Sequence, residues 1–236
     1  MPNPYFRFKQ FVVYQDRCAM KVGTDGVLLG AWADVSSAHS ILDIGTGTGL
    51  IALMVAQRSE AKITALEIDV EASQQAQENV DRSPWNNRIE VMNQSLQEFA
   101  LCSRKYDHII SNPPYFNQSL KSPKEGRTMA RHTDSLSYED LLRGVVSLLD
   151  EHGVFSVILP YQEKETFIAL SERYGLHPLR IMKVLPTPTS TPKRFMAEFS
   201  FVSTSCVESE MVIESEGRHQ YSEAYKQLTE EFYISM

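Results

Sequence analysis

Asp43-Ile44-Gly45-Thr46-Gly47-Thr48-Gly49-Leu50 joins a β-branched run, Ser40 to Ile44, to an apolar helical stretch, Leu50 to Arg58. A strand, a glycine-rich turn and a helix start, in that order, make the first βα unit of a parallel sheet. Glycine at such a turn admits positive φ and lets a ligand reach the backbone with no Cβ in the way. Lys62 to Glu67 then reads as the second strand. It ends about 20 residues on, in a carboxylate able to accept both hydroxyls of an adenosine ribose. Asp69 is the nearby alternative. Leu50 stands where a G-x-G-x-x-G dinucleotide fingerprint needs its third glycine, so the nicotinamide oxidoreductase reading loses an element.

The same alternation extends in both directions. Strands are expected over Ser40 to Ile44, Lys62 to Glu67, Arg88 to Asn93, Tyr106 to Ser111, Gly153 to Leu159, Pro178 to Leu185 and Arg194 to Ser203. Helices are expected over Leu50 to Arg58, Val70 to Arg82, Tyr138 to Leu149 (Ser137 as N-cap) and Glu163 to Tyr174. Pro186 to Pro192 lacks helical periodicity, so the last two strands should pair antiparallel. The fold class is α/β, a seven-stranded, mostly parallel sheet with an antiparallel closing hairpin, in one domain over 1–236. Residues 1–39 form an N-terminal extension; 207–236 is an acidic stretch followed by a terminal helix that Ser222 caps and that runs through Phe232.

The fourth strand ends in Asn112-Pro113-Pro114-Tyr115. Each proline disfavours helical geometry at the residue before it, so Asn112 and Pro113 stay extended beyond the strand. The arm leaves the carboxyl edge of the sheet beside the first strand, at the switch point where α/β folds bind ligands. The Asn112 amide oxygen and the Pro113 carbonyl are two acceptors matched to the two hydrogens of a planar amino group, and the Tyr115 ring offers a platform for an extruded base.

The Asp43 to Gly49 loop resembles motif I of class I methyltransferases, and the Asn112 to Tyr115 tetrad resembles that of amino-methyltransferases acting on adenine N6, guanine N2 or a glutamine side chain. Upstream, Phe8-Lys9-Gln10-Phe11 and Lys21-Val22-Gly23-Thr24-Asp25-Gly26 are similar to the tRNA(Val) adenine-N6-methyltransferase family, as are Arg131, His132, Leu228, Thr229, Phe232 and Tyr233. The resemblance spans nearly the whole chain. It implies a Rossmann-like class I fold, S-adenosylmethionine as cofactor, a tRNA substrate modified on an adenine beside the anticodon, and an N-terminal extension that covers the cofactor. It further implies cofactor contacts at Thr24, Asp25, Asp43, Gly45, Thr46, Gly47, Gly49, Glu67, Ile68 and Asn112. In that family the third strand usually ends in an acid that contacts the cofactor adenine; Ser95 stands there instead, with Gln94 beside it as a second hydrogen-bonding group. A glutamine methyltransferase would carry a helical domain before the glycine loop, where this chain has about 40 residues. Guanine-N2 enzymes tend to place phenylalanine where Tyr115 stands.

A net charge of -7 argues against nucleic acid, but its distribution softens the objection. Glu208, Glu210, Glu214, Glu216, Glu223, Glu230 and Glu231, against Arg218 and Lys226, account for most of the excess. Lys121, Lys124, Arg127, Arg131 and His132 make the segment after the tetrad locally basic, interrupted by Glu125, and suit it to RNA phosphates. Cys18, Cys102 and Cys206 follow no metal-ligand or disulfide spacing, and no metal is expected. No stretch approaches the roughly 20 apolar residues of a membrane span, and a monomer in the cytoplasm is the expected state.

Overall fold

The computed structural model describes residues 3–114 and 136–235. In chain order the elements are β1 (Tyr5–Arg7), β2 (Val12–Tyr14), α1 (Thr24–Trp32), β3 (Ser40–Ile44), α2 (Leu50–Arg58), β4 (Lys62–Glu67), α3 (Val70–Asp81), β5 (Ile89–Asn93), α4 (Leu96–Phe99), β6 (Tyr106–Ser111), α5 (Tyr138–Leu148), β7 (Leu149–Pro160), a 3-10 turn at Tyr161–Glu163, α6 (Lys164–Arg173), β8 (His177–Leu185), β9 (Arg194–Ser200), β10 (Val207–Val212) and α7 (Glu223–Thr229).

Eight of these strands form one sheet in the order β10-β8-β9-β7-β6-β3-β4-β5; β1 and β2 make a separate antiparallel hairpin. All pairings in the large sheet are parallel except those of β9, which runs antiparallel to β7 and β8. The expected closing hairpin is therefore present, but the sheet has eight strands among the described residues rather than seven. The extra strand is the acidic stretch after Val207, which pairs in parallel with β8 from Val207↔Arg180 to Val212↔Leu185. Its charges are neutralised from across the sheet. Glu208 bonds Lys164 Nζ at 2.9 Å and Lys183 Nζ at 3.1 Å, and Glu210 lies 3.8 Å from Lys183.

Successive residues of the central strands enter opposite faces, as a sheet covered on both sides requires. Ile110 and Ile158 join the core formed with α1, α2 and α3; Ile109 and Val157 join the core formed with α4, α5 and α6. α1 is buried from Gly26 to Trp32 and so lacks the one-sided periodicity that marks a surface helix. Ser137 and Ser222 cap α5 and α7, each accepting a bond from the backbone N–H three residues on. α7 stops at Thr229, short of Phe232, and β9 at Ser200, short of Ser203. The segment after α7 seats the amino terminus: Lys9 N donates to Phe232 O at 2.8 Å, and the Phe8 and Tyr233 rings stack at 5.9 Å.

Candidate active site

The glycine loop turns on three left-handed residues, Gly45 (φ 71°), Gly47 (φ 57°) and Gly49 (φ 81°), a region that disfavours any side chain. Gly45 N and Thr46 N both donate to Leu66 O at 2.9 Å, fastening the loop to the end of β4. Glu67 reaches back, its Oε2 accepting from Gly47 N at 2.8 Å and its Oε1 from Asp69 N at 3.0 Å. A Cβ placed on Gly45 or Gly47 would meet no atom within 4 Å, so the loop backbone fronts open space.

Beneath the loop lies Asp43, fully buried. Its Oδ2 accepts from the Thr46 hydroxyl and from Ala52 N at 3.2 Å, while its Oδ1 has no partner among the described residues. Burial drives the Asp43 carboxyl up to about 7, despite the opposing pull of the Thr46 and Ala52 bonds; the nearby Glu67 charge adds to the rise.

The proline-flanked arm is fixed to this loop by register and by one side chain. Ile44 pairs with Ser111, and Ser111 Oγ donates to Ile44 O at 2.9 Å, so Asn112 emerges beside Gly45. Behind the arm packs the first turn of α1: a Cβ on Gly26 would lie 3.0 Å from Leu50 Cδ2 and 3.8 Å from Asn112 Nδ2. A side chain at position 26 would press on the end of the Leu50 side chain, so the glycine eases the close approach of α1.

Loop, carboxylate and arm share one cavity of about 610 Å³, lined by Gly45, Gly47, Glu67, Ile68, Gln94, Ser95, Asn112, Pro113 and Pro114 among others. Asp69 and Glu71 also face it, so its lining suits a ligand carrying positive charge. A second cavity, of about 490 Å³, lies at the opposite edge of the sheet around Lys62, Arg88 and Tyr106 and contains none of these residues.

Thr24, Asp25, Thr46 and Gly49 lie outside the cavity lining. Asp25 Oδ2 accepts from Arg194 Nε at 2.9 Å, an ion pair that ties the start of α1 to the start of β9. Ser95 lines the cavity, but its hydroxyl is engaged in a reciprocal capping box with Glu98 at the head of α4. Asn93 Nδ2 donates to Glu67 O and Ile68 O, holding the end of β4 in place. Of the three polar residues that follow one another here, Gln94 alone makes no side-chain hydrogen bond among the described residues, and it lines the cavity. Asp69 Oδ1 caps α3 by accepting from Ala72 N at 2.8 Å, which leaves Glu67 as the carboxylate held against the glycine loop.

Arg17, Cys18, Ala19 and Met20 also line the cavity, and no motif in the sequence marks them. The Cys18 thiol is pushed up to about 11, by burial first and then by the charges of Glu67, Asp69 and Asp16, so it is a neutral wall group. Tyr115, Lys121, Lys124, Arg127, Arg131 and His132 fall outside the described residues. Among the described residues no group of three or more His, Cys, Asp and Glu is placed to hold a metal ion, and no helix is long and apolar enough to cross a membrane.

The methyltransferase small domain model matches residues 21–157, which contain the whole described cavity except the segment from Arg17 to Met20. A tRNA1(Val) (adenine(37)-N6)-methyltransferase from Bacteroides thetaiotaomicron is 53% identical over 238 residues, covering 100% of both chains. A protein of the same name from Phocaeicola vulgatus is 55% identical over 236 residues, again covering 100% of both. Among solved structures, an Agrobacterium tumefaciens protein described as a predicted O-methyltransferase superposes with a TM-score of 0.67 at 22% identity, covering 90% of this chain and 99% of that one. A T. thermophilus 16S rRNA N2 G1207 methyltransferase, in complex with AdoMet and guanosine, superposes with a TM-score of 0.57 at 15% identity, covering 83% of this chain and 49% of that one. These two likenesses speak to the fold. With full-length identity above half and the family model spanning loop and arm, the chain belongs to the methyltransferase small domain family and, within it, to the tRNA1(Val) (adenine(37)-N6)-methyltransferase family.

Proposed function

We propose that this protein transfers a methyl group from S-adenosylmethionine to N6 of adenine 37 in tRNA1(Val), the activity named for its full-length relatives. The observation that carries the reading is the Ser111 to Ile44 bond: it sets two carbonyl acceptors, on Asn112 and Pro113, in one cavity with the open backbone of Gly45 and Gly47. The residues suit the cofactor. Positive-φ glycines front empty space, Glu67 presents a carboxylate for ribose hydroxyls, the half-exposed Ile68 offers an apolar face, and Gln94 is placed for the adenine edge. When bound, the cofactor supplies an electrophilic methyl on a sulfonium and departs as the neutral thioether.

The chain contributes orientation and electrostatics. The Asn112 amide oxygen and the Pro113 carbonyl accept the two hydrogens of the adenine amino group, which turns the nitrogen lone pair out of the ring plane as it becomes tetrahedral. As the new N–C bond forms, positive charge grows on that nitrogen, and the same two oxygens stabilise it. The surplus proton leaves to water. No nucleophile on the protein takes part.

Replacing Asn112 by Ala should cut methyl transfer by about 100-fold or more while S-adenosylhomocysteine binds nearly as before, because one transition-state contact is lost and the cofactor walls remain. Mass spectrometry of nucleosides from tRNA incubated with the enzyme and labelled cofactor reads the product. N6-methyladenosine is expected; label on guanine, on protein glutamine or on no nucleoside overturns the assignment, and undiminished transfer by the Asn112→Ala enzyme overturns the role of the arm.

A further inference from the structure

Gln75, Glu78, Asn79 and Arg82 recur along and just past α3 at i, i+3, i+4 and i+7, a polar stripe of the kind that ordinarily faces water. All four nevertheless reach Tyr14 or Arg17, the stretch that leads into the cavity wall at Arg17 to Met20. Gln75 Oε1 accepts from Arg17 N at 3.2 Å, and Glu78 Oε1 from Arg17 Nη2 at 2.8 Å. The Arg82 guanidinium lies 4.5 Å from the Tyr14 ring centroid.

Asn79, 1% exposed, does the most. Its Oδ1 accepts from Tyr14 N at 2.8 Å, and its Nδ2 donates both to Tyr14 O at 2.9 Å and to Thr48 O at 2.8 Å. One amide therefore spends both of its N–H donors and one acceptor site on two backbone segments: the strand leading to Arg17, and the glycine loop. Among the described residues no hydrogen bond runs directly between residues 12–20 and 45–49. Their separation is set through α3.

We propose that Asn79 is a positioning residue for cofactor binding, tying Tyr14, at the foot of the Arg17 to Met20 wall, to Thr48 of the glycine loop. The inference rests on the cofactor reading above. An apolar residue of similar volume would fill the space but leave Tyr14 N, Tyr14 O and Thr48 O unpaired, so the wall and the loop would no longer share a fixed spacing.

The test uses the full chain with Asn79→Leu, S-adenosylhomocysteine as the titrant, and Cys18 as a reporter of the wall. The Cys18 thiol is buried, whereas that of Cys206 is exposed and serves as an internal reference for alkylation by iodoacetamide, read by peptide mass spectrometry. The expected result is binding weakened about tenfold, the equivalent of roughly one net buried hydrogen bond. Cys18 should be alkylated faster relative to Cys206, and kcat at saturating cofactor should stay within about twofold. A lowered melting temperature with unchanged binding and unchanged Cys18 reactivity would reduce Asn79 to ordinary packing and overturn the proposal. Should Asn79→Leu fail to fold, Gln75→Leu removes only the Arg17 N acceptor; a smaller shift in the same two readouts supports the latch, and no shift overturns it. If the unaltered protein does not bind S-adenosylhomocysteine, the cofactor reading falls first, a result distinct from any of these.

Discussion

Two buried carboxylates in the same sheet have opposite fates. Glu198 sits in β9 toward the edge remote from the glycine loop; Asp43 sits in β3 directly beneath that loop. Burial pushes both upward, but Glu198 accepts from Arg180 Nε at 2.5 Å, from Arg180 Nη2 at 2.8 Å and from Asp34 N at 3.0 Å, and is held below the ordinary glutamate value. Its Oε1 also accepts from Ser156 Oγ, which contacts His108 Nε2 at 2.8 Å. Asp43 has no cation beside it and one oxygen without a partner among the described residues, and its carboxyl rises to about 7. The remote edge is wired for permanence. Beneath the glycine loop the chain leaves one buried carboxylate oxygen without a partner among the described residues, next to the cavity but not lining it.

The contrast breaks most visibly at Glu198. Exchanging it for Ala leaves Arg180 with the Trp32 carbonyl and ring among the described residues. Denaturant titration should show a loss of about 2 kcal/mol, less than for a fully buried pair because Arg180 keeps a third of its side chain in solvent. S-adenosylhomocysteine affinity of the folded variant should be unchanged. A stability within error of the original would mean that this network is ornamental.

At Asp43 the sign reverses. The folded value, about 7, lies above the unfolded 3.8, so the stability contributed by the protonated carboxyl is fully present below about 4 and drains away as pH rises through 7. Asp43→Asn keeps an acceptor for Thr46 and Ala52 and should remove that decline. The melting temperature of the variant should gain on that of the original steadily between pH 4 and 8, and parallel curves would refute the shifted carboxyl.

His108 sharpens the comparison from the other side and by the smallest margin. Burial lowers its imidazole to about 4, against the upward pull of Glu198 and Asp34, so it is neutral in the folded protein. Stability owed to neutral His108 is complete above the unfolded 6.5 and is lost as pH falls toward 4. His108→Gln, which retains a polar group for Ser156, should flatten the acid limb of the melting curve; an unaltered limb would place the acid sensitivity elsewhere.

Much of this was legible before any coordinates. Strands β3 to β7 are legible as short β-branched or apolar runs alternating with amphipathic stretches, and the residues whose backbone makes the site (Gly45, Gly47, Asn112, Pro113) carry their geometry in their chemistry. What stayed hidden depended on partners distant in the chain. β10 reads as solvated acid because Lys164 and Lys183, which neutralise it, lie 44 and 25 positions earlier than Glu208. α1 escaped notice because it is buried on every side and interrupted by Gly26 and Gly30. The role of the α3 stripe is not legible in the sequence, since a buried amide that satisfies backbone groups is indistinguishable there from one that faces water. Ser95 fell at the position of an adenine contact, yet its hydroxyl is engaged in capping α4.

The bond from Lys9 N to Phe232 O joins residues 223 positions apart in the chain. The glycine loop and the proline arm are fastened to each other by contacts close to the sheet centre, whereas the amino-terminal hairpin depends on this distant segment for its seat. Removing the residues after Thr229 should therefore unseat the amino-terminal hairpin, which loses the Phe232 acceptor and the Tyr233 ring, while the glycine loop and the proline arm keep the bond between Ser111 and Ile44 that joins them.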